Sequence, residues 1–229
     1  MLLALLSLAA APPATDRDPA NPSCPRVPDW GTQPQMQLSV AEHAGMKVLV
    51  AEGTIDAGLP ARLQAQLDAD PAIEEIWLRS PGGNARAGSS AGRIIRATGL
   101  PTRIPSGWTC FSACNFMFMG GVARTIEPGG VFMVHMFTFT GDRGAIRYAT
   151  EQGADQTAEL IGDVEQESAL LASEDNDFLI RMGVSRQLLT DIMYQQRAVA
   201  SGSTPPQRYC LSIEEATRYN VHVPPDYED

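Results

Sequence analysis

The sequence predicts an α/β protein in which strands and helices alternate along the chain and pack in layers. Three observations support this fold class. Short apolar runs typical of buried strands alternate with segments whose apolar residues have helical spacing. Turns rich in glycine and proline separate them. The chain has 229 residues, 44% of them hydrophobic, which is enough for one large domain or two small ones.

The individual elements follow in chain order from residue 46. Strands are predicted at 47–51, 73–78, 102–104, 122–126 and 131–136. Helices are predicted at 59–67, 84–98, 112–119, 144–172, 174–182 and 185–195, and a capping box at 212–215 begins a last short helix. Pro60 is compatible with the first turn of its helix, and Gly99 ends the helix that begins at Asn84.

The N-terminal residues 1–11, MLLALLSLAAA, form an apolar run that stops at Pro12-Pro13. The run is too short to span a bilayer but suits the apolar region of a secretory signal peptide. We therefore predict a signal peptide at 1–11 and a periplasmic or secreted protein; the alternative is a ragged, weakly ordered N-terminus. Residues 12–45 are predicted to be an extended lead-in, and residues 46–229 the folded domain, which starts near Met46.

The charge and the histidine content argue against several function classes. The difference between 17 basic and 27 acidic residues gives a net charge of −10, which repels polyphosphate, so no nucleic-acid partner is expected. The three histidines are too few and too scattered for a zinc site, and we predict neither a metal nor a cofactor. The single lysine is Lys47, so a serine–lysine pair would have to use it.

The four cysteines are an even number, which in an exported protein permits two disulfides in three pairings. Cys24 and Cys210 are the plausible long-range pair, because each stands alone near one end of the chain. Cys110 and Cys114 lie one helical turn apart, and they are either bridged or simply small buried residues.

Two strand-to-helix junctions carry residues that are able to take part in catalysis. The first, Ser80-Pro81-Gly82-Gly83, contains two glycines that would let backbone N–H groups face an incoming carbonyl, near the positive end of the following helix. Any tight turn could use the same residues.

The second junction, at 110–114, places Ser112 at the start of a helix. There it is either a helix N-cap or an activated hydroxyl with the amide of Ala113 beside it. His135, at the end of the strand 131–135, is the plausible base for such a hydroxyl, although a lone histidine on a strand is more often structural.

This order of motifs resembles that of the ClpP-like serine peptidases, within the larger ClpP/crotonase superfamily. Their pattern is strand–SPGG–helix, then strand–serine–helix ending in Ala-Gly, then a basic residue and a strand ending in Met-Ile-His. Gly120-Gly121, Arg124 and Met133-Val134-His135 stand in the last three places here. The interval of 23 residues from Ser112 to His135 is slightly shorter than in ClpP. The Cys-x-Ser-Ala-Cys variant and the signal-like start look more like an exported bacterial branch of predicted ClpP-like proteins.

The resemblance implies a layered fold built of repeated β-β-α units, with Ser112 as nucleophile and His135 as general base. Gly83 and Ala113 would supply the amides of an oxyanion hole. The reaction would be acyl transfer on a peptide or unfolded-protein substrate. The helical stretch 144–172 would mediate self-association into a homo-oligomer, unless it is simply a solvated face. An exported protein would have no ATP-dependent unfoldase beside it.

The third member of the ClpP triad, an aspartate just before the final strand, has no counterpart in residues 205–209, PPQRY. Asp191 is the nearest downstream candidate; otherwise a backbone carbonyl or an amide side chain must hold His135. Three functions therefore stay open. They are an exported serine hydrolase, most simply a peptidase; a catalytically silent ClpP-like scaffold that binds peptides or partners; and a crotonase-type enzyme acting on an acyl thioester.

Overall fold

The computed structural model describes residues 16–136, 139, 141–196 and 207–225. The predicted signal peptide at 1–11 lies outside these ranges. The strands are β1 Arg17–Asp18, β2 Asn21–Pro25, β3 Gln37–His43, β4 Met46–Glu52, β5 Glu75–Arg79, β6 Thr102–Ile104, β7 Thr109–Phe111, β8 Arg124–Ile126, β9 Val131–Val134 and β10 Tyr209–Cys210. The helices are α1 Leu59–Ala69, α2 Ala85–Thr98, α3 Cys114–Gly120, α4 Arg143–Gln152, α5 Ala154–Met182, α6 Gln187–Gln196 and α7 Ile213–Arg218.

Two sheets form the framework of the fold. The larger sheet has the order β3-β4-β5-β6-β8, with β3 antiparallel at one edge and the other four strands parallel. The smaller sheet has the order β10-β9-β7, in which β7 and β9 are parallel and β10 is antiparallel. Parallel neighbours need crossover connections, and α1 and α2 supply two of them. The predicted α/β class is confirmed.

Helices α2 and α3 pack with their backbones in close approach, and small residues make this approach feasible. A Cβ atom at Gly88 would lie 2.5 Å from the carbonyl oxygen of Ala113, and one at Gly92 would lie 2.3 Å from that of Phe116. Both distances are shorter than real Cβ contacts allow, so larger residues would push the helices apart. The packing therefore fixes the start of α3 close to the start of α2.

The folded part begins well before Met46, so the prediction that it starts there was wrong. β3 pairs with β4 along its full length, from Gln37 opposite Glu52 to His43 opposite Met46. Met36, immediately before β3, is 1% exposed and belongs to the core. Met36, Leu38 and Val40 alternate with polar residues, so the sequence does carry the period-two pattern of a strand here, although most side chains of β3 are exposed.

The helical region from 143 to 182 is divided differently from the prediction. Helix α4 ends at Gln152, and α5 then continues without a break from Ala154 to Met182, through the boundary expected near residue 173. The break lies at Gly153, whose φ of 112° is accessible to glycine but rarely to other residues. No helix in the described ranges is long and apolar enough to cross a membrane.

Both cysteine pairs are joined as disulfides. Cys24 bonds to Cys210 across 186 residues, so β2 is tied to β10 at the far end of the chain. Cys110 bonds to Cys114, so these two cysteines are bridged and are not simply small buried residues.

Candidate active site

The pairing of β7 with β9 brings the two sequence-predicted chemical groups together. The strands are parallel, and their register is Thr109 opposite Val131, Cys110 opposite Phe132 and Phe111 opposite Met133. Because parallel strands end at the same edge of a sheet, the residues that follow β7 and β9 emerge side by side. Ser112 follows β7 directly, and His135 follows β9 directly.

Ser112 lies at a strained turn between β7 and α3. Its φ of 58° is in the left-handed region, which residues other than glycine seldom adopt and which often marks functional turns. The N–H of Asn115 donates to the backbone oxygen of Ser112 at 2.9 Å, so the hydroxyl is not needed as a helix cap. The Cys110–Cys114 disulfide closes across the turn. The Ser112 hydroxyl is thus left free for another partner.

That partner is His135, whose Nε2 lies 2.7 Å from Ser112 Oγ. The other ring nitrogen, Nδ1, lies 3.0 Å from the carbonyl oxygen of Met136. A carbonyl can only accept, so Nδ1 carries the proton and donates to it. In the neutral ring Nε2 is then bare and accepts the Ser112 hydroxyl proton. This is the tautomer that a general base needs.

The surroundings of His135 favour this neutral form. Although His135 is exposed to solvent on one side, its neighbours exclude part of the water around the ring; this lowers the pKa of His135 below its usual value of 6.5, and the hydrogen bond to Met136 offsets part of the effect. Phe111 contributes to the desolvation, since its ring centroid lies 4.9 Å from that of the histidine. His135 is therefore uncharged and able to accept a proton at neutral pH.

The residue whose carbonyl orients His135, Met136, is itself held by a side chain through its N–H. The Met136 N–H donates to Oε1 of Gln196, the last residue of α6, and Gln196 is only 6% exposed. Gln196 therefore holds the backbone of Met136, whose carbonyl oxygen accepts from His135, and His135 in turn contacts Ser112.

The glycine turn before α2 leaves one N–H group unused. Gly82 and Gly83 have φ values of 85° and 144°, and a Cβ at Gly83 would lie 2.2 Å from the Ile55 carbonyl oxygen. Ser80 Oγ accepts from the Gly82 N–H at 3.0 Å. Within the described ranges, no protein acceptor takes the N–H of Gly83 or of Ala113. Both residues line the cavity that also contains Ser112 and His135.

Asp191, the sequence-predicted third member, belongs to a different network. Its Oδ2 accepts from the Tyr219 hydroxyl at 2.6 Å, and its Oδ1 accepts from Gln187 at 2.7 Å. The position beside His135 Nδ1 is filled by the Met136 carbonyl instead. Lys47 is also engaged elsewhere, because its Nζ pairs with Asp70 at 3.1 Å.

A cavity of about 480 Å³ lies beside Ser112 and His135. Its walls come from α3, β9, α5 and α6 and are mostly apolar. Its size and lining are those of a ligand pocket. In the described part of the chain, no group of three or more histidine, cysteine or acidic side chains is arranged to hold a metal ion.

The sequence analysis offered a backbone carbonyl as an alternative partner of His135, but it identified neither Met136 nor Gln196, and it missed the cavity residue Asp175. A backbone carbonyl has no signature in a sequence, and Gln196 is one glutamine in a polar helix end. Asp175 lies in the polar run 173–177, SEDND, which resembles a solvated face. Its spacing of four residues from both Leu171 and Leu179 was the available signal, since it places the aspartate on an apolar stripe.

Comparison with solved structures identifies the fold. The chain is similar to an asparagine-to-aspartate mutant of ClpP1 from Listeria monocytogenes, with a TM-score of 0.51 and 17% sequence identity. The match covers 76% of this chain and 88% of that chain. The protein therefore has a ClpP-like fold. No family model matches the sequence, and no curated protein matches it.

Proposed function

We propose that this protein is an exported serine hydrolase that cleaves peptides. The observation that carries the proposal is the contact of 2.7 Å between Ser112 Oγ and His135 Nε2, in a ring whose other nitrogen donates to a carbonyl. An unactivated serine hydroxyl is a poor nucleophile, and a neutral imidazole in this position is what activates it.

The reaction follows from this geometry. His135 takes the Ser112 proton as Oγ attacks the substrate carbonyl, and the negative charge that develops on the carbonyl oxygen is stabilised by the N–H groups of Gly83 and Ala113. The protonated His135 then gives its proton to the leaving amine, and an acyl-enzyme remains. Water, deprotonated by His135, attacks the ester and frees Ser112.

The Met136 carbonyl takes the place of the triad acid. It fixes the tautomer and orientation of His135, as an aspartate would, but it carries no full charge to stabilise the imidazolium that forms. We therefore expect slower turnover than a complete triad gives. The same observation supports the second candidate, a silent ClpP-like scaffold that binds peptides without cleaving them.

Location and assembly belong to the same proposal. The two disulfides fit an oxidising compartment, which supports export. Exposed apolar side chains on α4 and α5, namely Tyr148, Ile161, Leu170 and Ile180, support self-association through these helices.

The test is labelling with a fluorophosphonate, a probe that reacts only with an activated serine. We expect wild type to be labelled, Ser112→Ala and His135→Ala to be unlabelled, and Ser39→Ala, which changes an exposed serine on β3, to match wild type. Folded wild-type protein that is not labelled would reject the hydrolase and favour the scaffold. Labelling that survives Ser112→Ala would place the nucleophile elsewhere.

A further inference from the structure

Away from Ser112, His135 and Asn115, the cavity beside Ser112 is apolar except at one place. Most of its walls are hydrophobic, with contributions from Phe116, Met119, Phe132, Leu179, Leu188 and Ile192. Asp175 is the single acidic residue among the described residues that line it. The aspartate lies on α5 between Leu171 and Leu179, which also line the cavity, at the spacing that places three residues on one helix face.

The carboxylate of Asp175 has no partner among the described residues, unlike its neighbours. Glu174 pairs with Arg86 at 3.8 Å, and Asp177 pairs with Arg181 at 2.8 Å. No salt bridge or hydrogen bond of the described ranges involves the side chain of Asp175. A half-buried carboxylate without a partner destabilises the folded protein. A cationic ligand group that pairs with it would remove this cost, and the free energy of binding would become more favourable.

Water is partly excluded around Asp175. Burial, with a smaller effect from Glu174, raises the pKa of Asp175 to about 6. On α2, Arg86 and Arg93 line an adjoining depression that Asp175 shares, but they pair with Glu167, Glu174 and Asp177. Ser112 and His135 line the same cavity.

We propose that this cavity receives the substrate side chain next to the bond that is cleaved, and that Asp175 selects side chains with a long apolar stem and a cationic tip. Lysine and arginine have this shape: their methylene groups would contact the apolar walls while the charged end pairs with the carboxylate. The inference rests on the proposed function, because a position next to the cleaved bond presupposes a hydrolase. The affinity for peptides can nevertheless be measured without turnover and tests the inference separately.

The experiment uses two fluorescent peptides that differ only by lysine or norleucine at the selected position, so that charge is the variable. Their affinities are measured on Ser112→Ala protein, which binds without cleaving. We expect the lysine peptide to bind roughly 10- to 100-fold more tightly above pH 6, with the preference lost as pH falls and Asp175 takes up its proton. Asp175→Asn should abolish the preference, whereas Asp163→Asn, an exposed position on α5 outside the cavity, should keep it.

Equal affinity for the two peptides at every pH, or a preference unchanged by Asp175→Asn, would overturn the proposal. Asp175→Leu completes the apolar stripe and provides a second variant that is expected to fold; it should favour norleucine. In active protein, the ratio of kcat/KM for the lysine peptide to that for the norleucine peptide should depend on pH and on Asp175 in the same way as the affinities. The titration of His135 changes both kcat/KM values equally, so it does not affect their ratio. Selective binding without fluorophosphonate labelling would leave this site standing and refute the hydrolase.

Discussion

A methyl group at position 83 would meet backbone and not a flexible side chain, so Gly83→Ala isolates the contribution of the turn before α2. The new Cβ would lie 2.2 Å from the Ile55 carbonyl oxygen. That oxygen cannot retreat easily, because it accepts from the Asn84 N–H at 2.9 Å while the Ile55 N–H donates to Gly82 at 2.8 Å. The turn itself must therefore shift, and the Gly83 N–H moves away from the developing oxyanion.

Loss of one oxyanion donor lowers kcat by roughly 10²- to 10³-fold. The assay is turnover of an activated ester, with thermal unfolding measured on the same samples. Gly45→Ala is the matched control: Gly45 has a φ of 83°, no heavy atom lies within 4 Å of a Cβ placed there, and it lies in the hairpin between β3 and β4. It should lose about 1–2 kcal/mol of stability from left-handed strain and keep its turnover. Gly83→Ala protein that turns over at the wild-type rate would refute the oxyanion role.

Three further outcomes are expected. The value of kcat/KM for an ester should rise with pH as His135 loses its proton, with a midpoint below 6.5 because the pKa of the folded histidine is lowered; a midpoint above that value would contradict the burial argument. Gln196→Met removes the acceptor of the Met136 N–H, so kcat should fall by up to ~100-fold with little change in KM, whereas Gln195→Met on the exposed side of α6 should have no effect. Replacing both Cys24 and Cys210 by alanine should lower the free energy of unfolding in urea by about 2–5 kcal/mol, near the upper end because the bridge spans 186 residues; an unchanged urea midpoint would show that the bridge adds no stability.

Local signals in the sequence were reliable where one residue determines a conformation. The Asn84 side chain caps α2, Gly99 ends it in a left-handed conformation, and the capping box at Ser212 and Glu215 is present. These features depend on hydrogen bonds within a few residues, so the sequence carries them directly.

Features made by distant contacts could not be predicted in the same way. The pairing of β3 with β4 is one such feature, because the alternation of Met36, Leu38 and Val40 with polar residues indicates a strand but does not identify its partner. The Met136 carbonyl that orients His135 belongs to the next residue along the chain, but the backbone of Met136 is held by Gln196, 60 residues further on. Asp191 was a candidate because of its residue type alone, since the sequence does not show where its side chain lies. In the structure its carboxylate accepts a hydrogen bond from the Tyr219 hydroxyl.

The interval of 23 residues between Ser112 and His135, shorter than the resemblance to ClpP-like peptidases leads us to expect, is compatible with their contact. The register of β7 and β9 pairs Phe111 with Met133, a constant offset that hydrogen bonds maintain along both strands. Residues removed from the turn between β8 and β9 change the length of a loop, whereas the positions at which β7 and β9 end depend on their pairing. Fixed strand ends therefore preserve the distance of 2.7 Å between Oγ and Nε2. Spacing along the chain is thus a weaker criterion for this site than the order of the motifs, because the sheet sets the geometry.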